Sequence, residues 1–369
     1  MRAMFWIFPL LMLTASAYVL WHVWCILPLA KWLKWVVIIV MALCTTGMFF
    51  LFGGALERWP LPAACAAYEV TTSAIFVMLY LLITFLVLDI GRLAHLVPRS
   101  LLHDSWAGTV GVTLLMVVTF VAANMKYRHK VRVPLELTTE KALVRDYRMV
   151  MATDLHLGFH NRRAELARWV DLINAEHPDL VLIAGDIIDI SLRPLEEEHM
   201  AEELRRLEAP VYACLGNHEY FSNEPRAREF FKEAGIHLLS DSATVIDSTL
   251  CIIGRDDRTN RQRKELSTLA AATDPSLYTI LLDHQPYNLE QAEECHIDFQ
   301  FSGHTHRGQV WPISWVTDAI YECSWGEHRR GDTRYYVSSG LGIWGGKFRI
   351  GTQSEYVVAT LKATKPRKE

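Results

Sequence analysis

A chain of 369 residues has room for two domains. It is 51% hydrophobic and 21% charged, with a net charge of −4 and a pI near 6.4, so nothing in its charge points to nucleic acid as a partner. The seven cysteines, Cys25, Cys44, Cys65, Cys214, Cys251, Cys295 and Cys323, form no C-x-x-C pair, which argues against a zinc finger or a disulfide framework and for buried apolar thiols.

The first third is almost wholly apolar. Four stretches, Phe5–Leu27, Leu33–Ala55, Val70–Ile90 and Thr109–Met125, are predicted to be membrane-crossing helices, since about 20 apolar residues span a bilayer. Trp21, Trp24, Trp32, Trp35, Trp59 and Tyr68 fall near their ends, where interfacial aromatics belong. Ala15-Ser16-Ala17 resembles a signal-cleavage site, but the apolar run continues past it, which favours a retained anchor. Asp89 lies close to the end of a span, and no ion pathway is read from it. Four spans place both flanks of this region on one membrane face. The run "KYRHKVR", with Lys126, Arg128, Lys130 and Arg132, tilts that face towards the cytoplasm, and it also suits anionic headgroups. The expectation is a multi-pass integral membrane protein, of the inner membrane if the chain is prokaryotic. Its oligomeric state is not legible.

From about Lys126 short apolar runs alternate with amphipathic helical stretches, the pattern of an α/β domain. "YRMVMATD" reads as a strand ending at Asp154. "RRAELARWVDLINAEHPD" is helical from its spacing of Leu166, Trp169, Val170 and Ile173. "DLVLIAGD" reads as a buried strand, "SLRPLEEEHMAEELRRLEAP" as one polar helix, and "PVYACLGNHE" as a strand and loop. "ATVIDSTLCIIGRDD" is predicted to be a hairpin, while "YTILLDHQP" and "IDFQFSGHTH" are two more strand-to-loop units. The domain boundaries expected are 1–125 for the transmembrane helices, 126–144 for a basic linker and first strand, 145–362 for the catalytic region and 363–369 for a basic tail.

Polar residues cluster just past the carboxyl end of each apolar strand, where open α/β sheets place their sites. They are Asp154 and His156, Asp186, Asn217 and His218, His284, and His304 with His306. Read singly, Asp154 fits a helix N-cap, Asp186 a turn beside Gly185, Asn217 another turn and His284 a satisfied buried histidine. His304 and His306 differ, because side chains at i and i+2 of extended chain share a face and two converging imidazoles suit a metal. Five loops ending in such residues can meet in one cleft.

In this order the motifs resemble the calcineurin-like metallophosphoesterases: Asp154-Leu-His156, Gly185-Asp186, Gly216-Asn217-His218-Glu219, His284, and Gly303-His304-Thr305-His306. "SGHTHRGQVWP", "GRDD" and "YVSSGLGIWGGKFRIG" are similar to the branch with N-terminal transmembrane segments, which includes membrane-attached phosphodiesterases and UDP-2,3-diacylglucosamine hydrolases. The resemblance implies an α/β sandwich of two β-sheets flanked by helices, preceded here by the all-α transmembrane region. It implies two divalent metals, manganese, iron or zinc, with Asp154, His156 and His306 on one, Asn217, His284 and His304 on the other, and Asp186 bridging. His218 is left to stabilise the transition state and protonate the leaving oxygen. Arg307, where the branch has glycine, and Glu219 are candidate substrate-binding residues, and the glycine-rich segment near the C-terminus closes over the site edge.

The expected activity is hydrolysis of a phosphodiester or pyrophosphate on a lipid or lipid-linked substrate presented by the membrane. The alternatives are a membrane-tethered phosphomonoesterase or protein phosphatase, and a membrane sensor whose metal domain only binds.

Overall fold

In the computed structural model, which describes residues 2–50 and 54–364, the apolar first third is helical. α1 (Arg2–Ile26), α2 (Lys31–Phe50), α3 (Leu61–Leu93) and α4 (Trp106–Arg128) follow one another. Among the described residues three helices are long and apolar enough to cross a membrane, Lys31–Phe49, Leu61–Leu93 and Trp106–Arg128, and α1 contributes the shorter apolar stretch Leu11–Ile26. The second expected span ran to Ala55, and its residues 51–53 lie outside the described part. The third starts earlier than expected, at Leu61, with Pro60 at the N-cap position and Pro62 in the first turn, where a proline is tolerated. Asp89 on α3 accepts hydrogen bonds from Tyr18 (2.8 Å) and from His22 Nε2 (3.0 Å), with Arg92 at 3.7 Å, which compensates an acid placed among apolar helices.

The chain divides into two compact units: the residues up to Asn124 with Gly345–Lys347, and Met125–Trp344 with the residues from Phe348 on. The second unit contains two six-stranded sheets. One has the order β1 (Lys130–Thr139), β12 (Ser354–Ala363), β2 (Tyr147–Ala152), β3 (Leu180–Ala184), β4 (Val211–Cys214), β5 (Ile236–Leu238). The other runs β10 (Gly326–Arg330), β11 (Thr333–Val337), β9 (Phe299–Ser302), β8 (Tyr278–Leu282), β7 (Leu250–Gly254), β6 (Ser242–Ile246). In the first sheet β2, β3, β4 and β5 are parallel; in the second β7, β8, β9 and β11 are. The β6–β7 pair is the antiparallel hairpin that its sequence predicts.

Period-two alternation assigns each strand side chain to one of two cores. Met149, Met151, Leu180 and Leu182 of the first sheet meet Ile252, Ile280, Leu282, Phe299 and Phe301 of the second, filling the space between the sheets. Val150, Ala152, Val181 and Ile183 point the other way, onto Leu166, Trp169, Val170 and Ile173 of α5 (Arg163–Asn174), the stripe its spacing predicts, and onto α7 (Met200–Leu204) and α9 (Glu224–Glu233). Cys251, Ile253, Leu281 and Val337 face α10 (Leu266–Ala271) and α11 (Glu290–Glu294). The result is a two-sheet sandwich flanked by helices.

Some local expectations change. The single polar helix after β3 is two short ones, α6 (Arg193–Glu197) and α7, because His199 between them adopts a left-handed conformation at φ 53°. The chain after β4 begins a short helix, α8 (Asn217–Ser222), rather than a loop. β1 pairs with β12 over its whole length, and Arg132 within the basic run pairs with Glu176 at 2.8 Å. β12 continues to Ala363, the first residue of the expected tail, of which 365–369 lie outside the described residues. All seven cysteines are free thiols, four of them buried.

Candidate metal centre

The parallel strands β2, β3, β4, β8 and β9 end in loops that deliver the polar residues. Asp154 and His156 follow β2, Asp186 follows β3, Asn217 and His218 open α8 after β4, His284 follows β8, and His304 and His306 follow β9. Five of these take the left-handed backbone region that non-glycine residues avoid: Asp154 (φ 55°), His156 (46°), Asp186 (51°), His304 (70°) and His306 (47°). Each such residue costs of the order of 1 kcal/mol or more, and such strain concentrates at functional sites. The glycines of the motifs have a separate reason. A Cβ on Gly303 would run into Thr153 Oγ1 and the Asp154 carboxylate, and one on Gly216 into the Asp186 carboxylate. The ligand loops pack too closely for any side chain there.

Two triads form. Asp154, His156 and His306 bring one ligand atom each to within 4.8 Å of one another, as do Asp186, His284 and His304. His156 Nε2 and His306 Nε2 face each other at 3.1 Å, and His306 Nε2 lies 3.5 Å from Asp154 Oδ1. Asp186 Oδ2 stands between the sets, 3.1 Å from His284 Nε2 and 3.7 Å from His156 Nε2. The buried Asn217 Oδ1 has no hydrogen-bond partner among the described residues. An orphaned buried carbonyl beside carboxylates and imidazoles is costly unless a cation takes its lone pairs, so the donor set fits divalent metals.

Electrostatics follow from burial. Burial alone would raise the Asp154 carboxyl, but His306, His156 and His284 outweigh it and hold it well below the usual range. Asp186 is held down likewise, by His284, His218 and His156 against burial. His156 rises to about 10, because Asp154, Asp189 and Asp186 overcome the burial that favours its neutral form. Burial and the nearby His284 push His304 down to about 4, and burial, with His156 and Arg349 adding to it, pushes His306 to about 3. These two imidazoles are neutral at pH 7, with lone pairs ready for a cation.

A second layer orients the first. Asp189 is fully buried; its Oδ1 lies 3.3 Å from His156 Nδ1 and 3.2 Å from His218 Nδ1. Sequence reasoning missed it, although the second acid of "GDIID", three residues past Asp186, is a legible signal. His284 Nδ1 meets the Ala184 carbonyl at 2.7 Å, which directs Nε2 at Asp186. The backbone N–H of His304 donates to both Asp154 oxygens at 3.1 Å, and that of His218 donates to Asp186 Oδ1 at 2.9 Å.

Glu219 lies away from the position expected of a substrate-binding residue. It is fully buried and its carboxylate accepts four backbone N–H bonds, from Asp186 (3.1 Å), Ile187 (2.8 Å), Ile188 (3.0 Å) and Gly216 (2.7 Å). It ties the β3 loop to the β4 loop and has no lone pair directed at the cleft. Arg307 is half-buried at the loop after β9, with its guanidinium 4.1 Å over the Trp325 ring. The glycine-rich segment before β12 packs beneath Asp154 and is organised by Arg349, which the sequence did not single out. The fully buried Arg349 guanidinium donates to the carbonyls of His306 (2.8 Å), Ser339 (2.5 Å) and Gly342 (3.1 Å) and to Ser354 Oγ (3.1 Å).

Two facing mixed sheets, with Asp and His ligands gathered at the ends of parallel strands, define a metallophosphoesterase. The chain belongs to the calcineurin-like phosphoesterase family, whose pattern it matches over residues 147–308. It is 30% identical over 229 residues to an uncharacterized metallophosphoesterase of Aquifex aeolicus, covering 59% of this chain and 85% of that protein. It is 29% identical over 230 residues to one of Campylobacter jejuni, covering 60% and 61% of the two chains. A transmembrane protein with metallophosphoesterase domain from Danio rerio is 29% identical over 252 residues, 63% of this chain and 56% of that protein. This chain therefore spans little more than half the length of the last two relatives. Among solved structures, a 5'-nucleotidase precursor from Thermus thermophilus aligns over 58% of this chain and 55% of its own, at 15% identity and a TM-score of 0.37.

Proposed function

We propose that this chain is a membrane-anchored phosphoesterase that uses two divalent metals to cleave a phosphodiester or pyrophosphate on a lipid or lipid-linked substrate. The observation that carries the two-metal reading is Asp186, whose Oδ2 lies within 3.7 Å of an imidazole nitrogen from each triad. Asp154, His156 and His306 would hold one metal and Asn217, His284 and His304 the other, with Asp186 shared between them. Manganese, iron and zinc suit this mixture of carboxylate and imidazole. The two metals, when bound, supply an activated water and neutralise charge on the phosphoryl oxygens.

The protein's own groups do the rest. The Asp189 carbonyl and carboxylate, each 3.2 Å from His218 Nδ1, fix the ring, so the other ring nitrogen is the one that passes a proton to the leaving oxygen. Glu219 and the Gly216 backbone hold the loops bearing Asp186 and Asn217 in register. The apolar helices support a lipid-borne substrate, because a site held at a bilayer meets lipids at high effective concentration. A UDP-2,3-diacylglucosamine-like pyrophosphate is the specific candidate, with the catalytic unit on the cytoplasmic face.

The test is manganese-dependent hydrolysis of an aryl phosphodiester and its matched monoester by the full chain in detergent, beside Asp186→Asn. Diester cleavage lost in the variant is expected. Cleavage confined to the monoester would instead favour a tethered phosphatase.

A further inference from the structure

An exposed apolar face lies beside the metal centre. α12 (Ile313–Ile320) follows the loop that carries His306, and of its eight residues only Ser314 is buried. Trp311 and Ile313 are exposed near its start, and Trp315 (65% exposed), Val316 (55%) and Ile320 (58%) project from the helix into open space. None of them joins a core cluster of the catalytic unit. A helix this short is marginal in water and normally owes its stability to burial of its apolar side. Here Trp315 meets the Trp311 ring at 5.4 Å, and among the described residues Trp315, Val316 and Ile320 join no core cluster of the catalytic unit.

The surroundings indicate what covers it. Tyr321, the next residue after α12, places its ring 6.3 Å from that of His304, and its hydroxyl is 3.0 Å from that of Tyr287. The exposed Arg258 stacks 4.1 Å over Tyr287, and Arg261 and Lys264 are exposed on the same loop. Of the acids close by, Asp318 accepts from Ser324 and Glu322 pairs with Arg330 and His328, while Glu265 is exposed beside Lys264. A tryptophan-rich apolar face bordered by cations is the chemistry of an anionic bilayer surface. One residue, His129, separates the end of α4 from the start of β1.

We propose that α12 is a membrane-docking element, with Trp315, Val316 and Ile320 seated in the interfacial zone of an anionic bilayer, Arg258 at the headgroup phosphates, and the His304 side of the metal centre opening towards the lipid. The proposal rests on reading the chain as membrane-anchored, and it identifies the surface through which a lipid substrate reaches the site.

The test uses the full chain in nanodiscs of phosphatidylcholine, with and without phosphatidylglycerol. A nitroxide is placed at Val316→Cys, with the half-buried Cys25, Cys44 and Cys295 changed to alanine. Val245→Cys, at an exposed position on β6, serves as the control. The Val316 label should collide with oxygen and be shielded from an aqueous nickel chelate, more so with phosphatidylglycerol, while the control stays open to the chelate. Equal chelate access at both positions overturns the proposal. Shielding of Val316 from both quenchers also overturns it, in favour of a protein partner or a second copy. The two readings fail separately: immersion without cleavage of any lipid phosphodiester sinks the substrate reading alone, and cleavage with an open label sinks the docking surface alone.

Discussion

Asp189 and His218 are held together at 3.2 Å between Oδ1 and Nδ1, and the same carboxylate oxygen reaches His156 Nδ1 at 3.3 Å. One buried acid thus orients both a proposed metal ligand and the proposed proton donor. Asp189→Asn keeps the volume and removes the charge. We expect kcat to fall by about 10- to 100-fold, with a smaller change in KM and a weaker metal affinity, as for other partners of metal-bound histidines. The distinguishing readout is the split between kcat and KM together with the metal content of the variant, which a purely packing role would not move. Unchanged kcat and metal content would show that Asp189 acts only by packing.

Asp186 lies between the triads, and Asn217 contributes the buried Oδ1 without a partner. Asp186→Asn should abolish hydrolysis, exceeding the roughly 100-fold loss typical of an outer partner, and should lower bound metal from two ions towards one. Asn217→Ala should spare the first metal and deplete the second. Elemental analysis of the purified variants measures both. Retention of two metals by Asp186→Asn would dismiss the bridging role.

What the sequence revealed of this site depended on where each residue stands. Asp154, Asp186, His284 and His304 each follow a largely apolar strand, so their convergence could be read from the chain in order. The α/β alternation was legible in the chain, while the two-sheet sandwich was expected only through the family resemblance; the structure shows it in Met149 and Val150, which face two different cores. Asp189 was not singled out, because an acid in a turn has a solvated appearance until tertiary packing buries it. Glu219 seemed a cleft residue beside His218, yet its carboxylate turns inward onto four backbone N–H groups, a choice made by the β3 loop and not by its neighbours. Helix breaks such as that at His199 escaped because they depend on a backbone conformation that composition does not encode.

Arg349 is the largest fully buried side chain of the catalytic unit and holds carbonyls of two segments that meet under the metal centre, one of them that of His306. Burial lowers its pKa to about 10, still well above neutrality, so it remains a cation and satisfies those carbonyls. Arg349→Met preserves much of the apolar stem but leaves several buried acceptors unpaired, each worth about 1–3 kcal/mol. A clear drop in the thermal unfolding midpoint of the full chain in detergent is expected, together with looser metal binding as His306 loses its backbone anchor. Arg349→Lys should recover only part of both, since an ammonium cannot reproduce the planar fork. Full recovery by lysine would show that charge alone matters here.

Glu176 joins three neighbouring strands. Its carboxylate accepts from Arg132 Nε on β1 (2.8 Å), from Tyr356 Oη on β12 (3.1 Å) and from Arg148 on β2. Burial would raise its pKa, but Arg132, Tyr356 and Arg148 together bring it below the ordinary value of 4.5. A carboxyl whose folded pKa is depressed contributes stability above its unfolded pKa and loses it as the pH falls through the folded one. Since the partners are partly exposed, the contribution is on the order of 1 kcal/mol. Glu176→Gln should therefore lower the unfolding midpoint at pH 7, and the gap to the parent chain should close as the pH falls below about 4.5. A gap of constant size across that range would mean that the three strands are held by packing, with the carboxylate charge irrelevant.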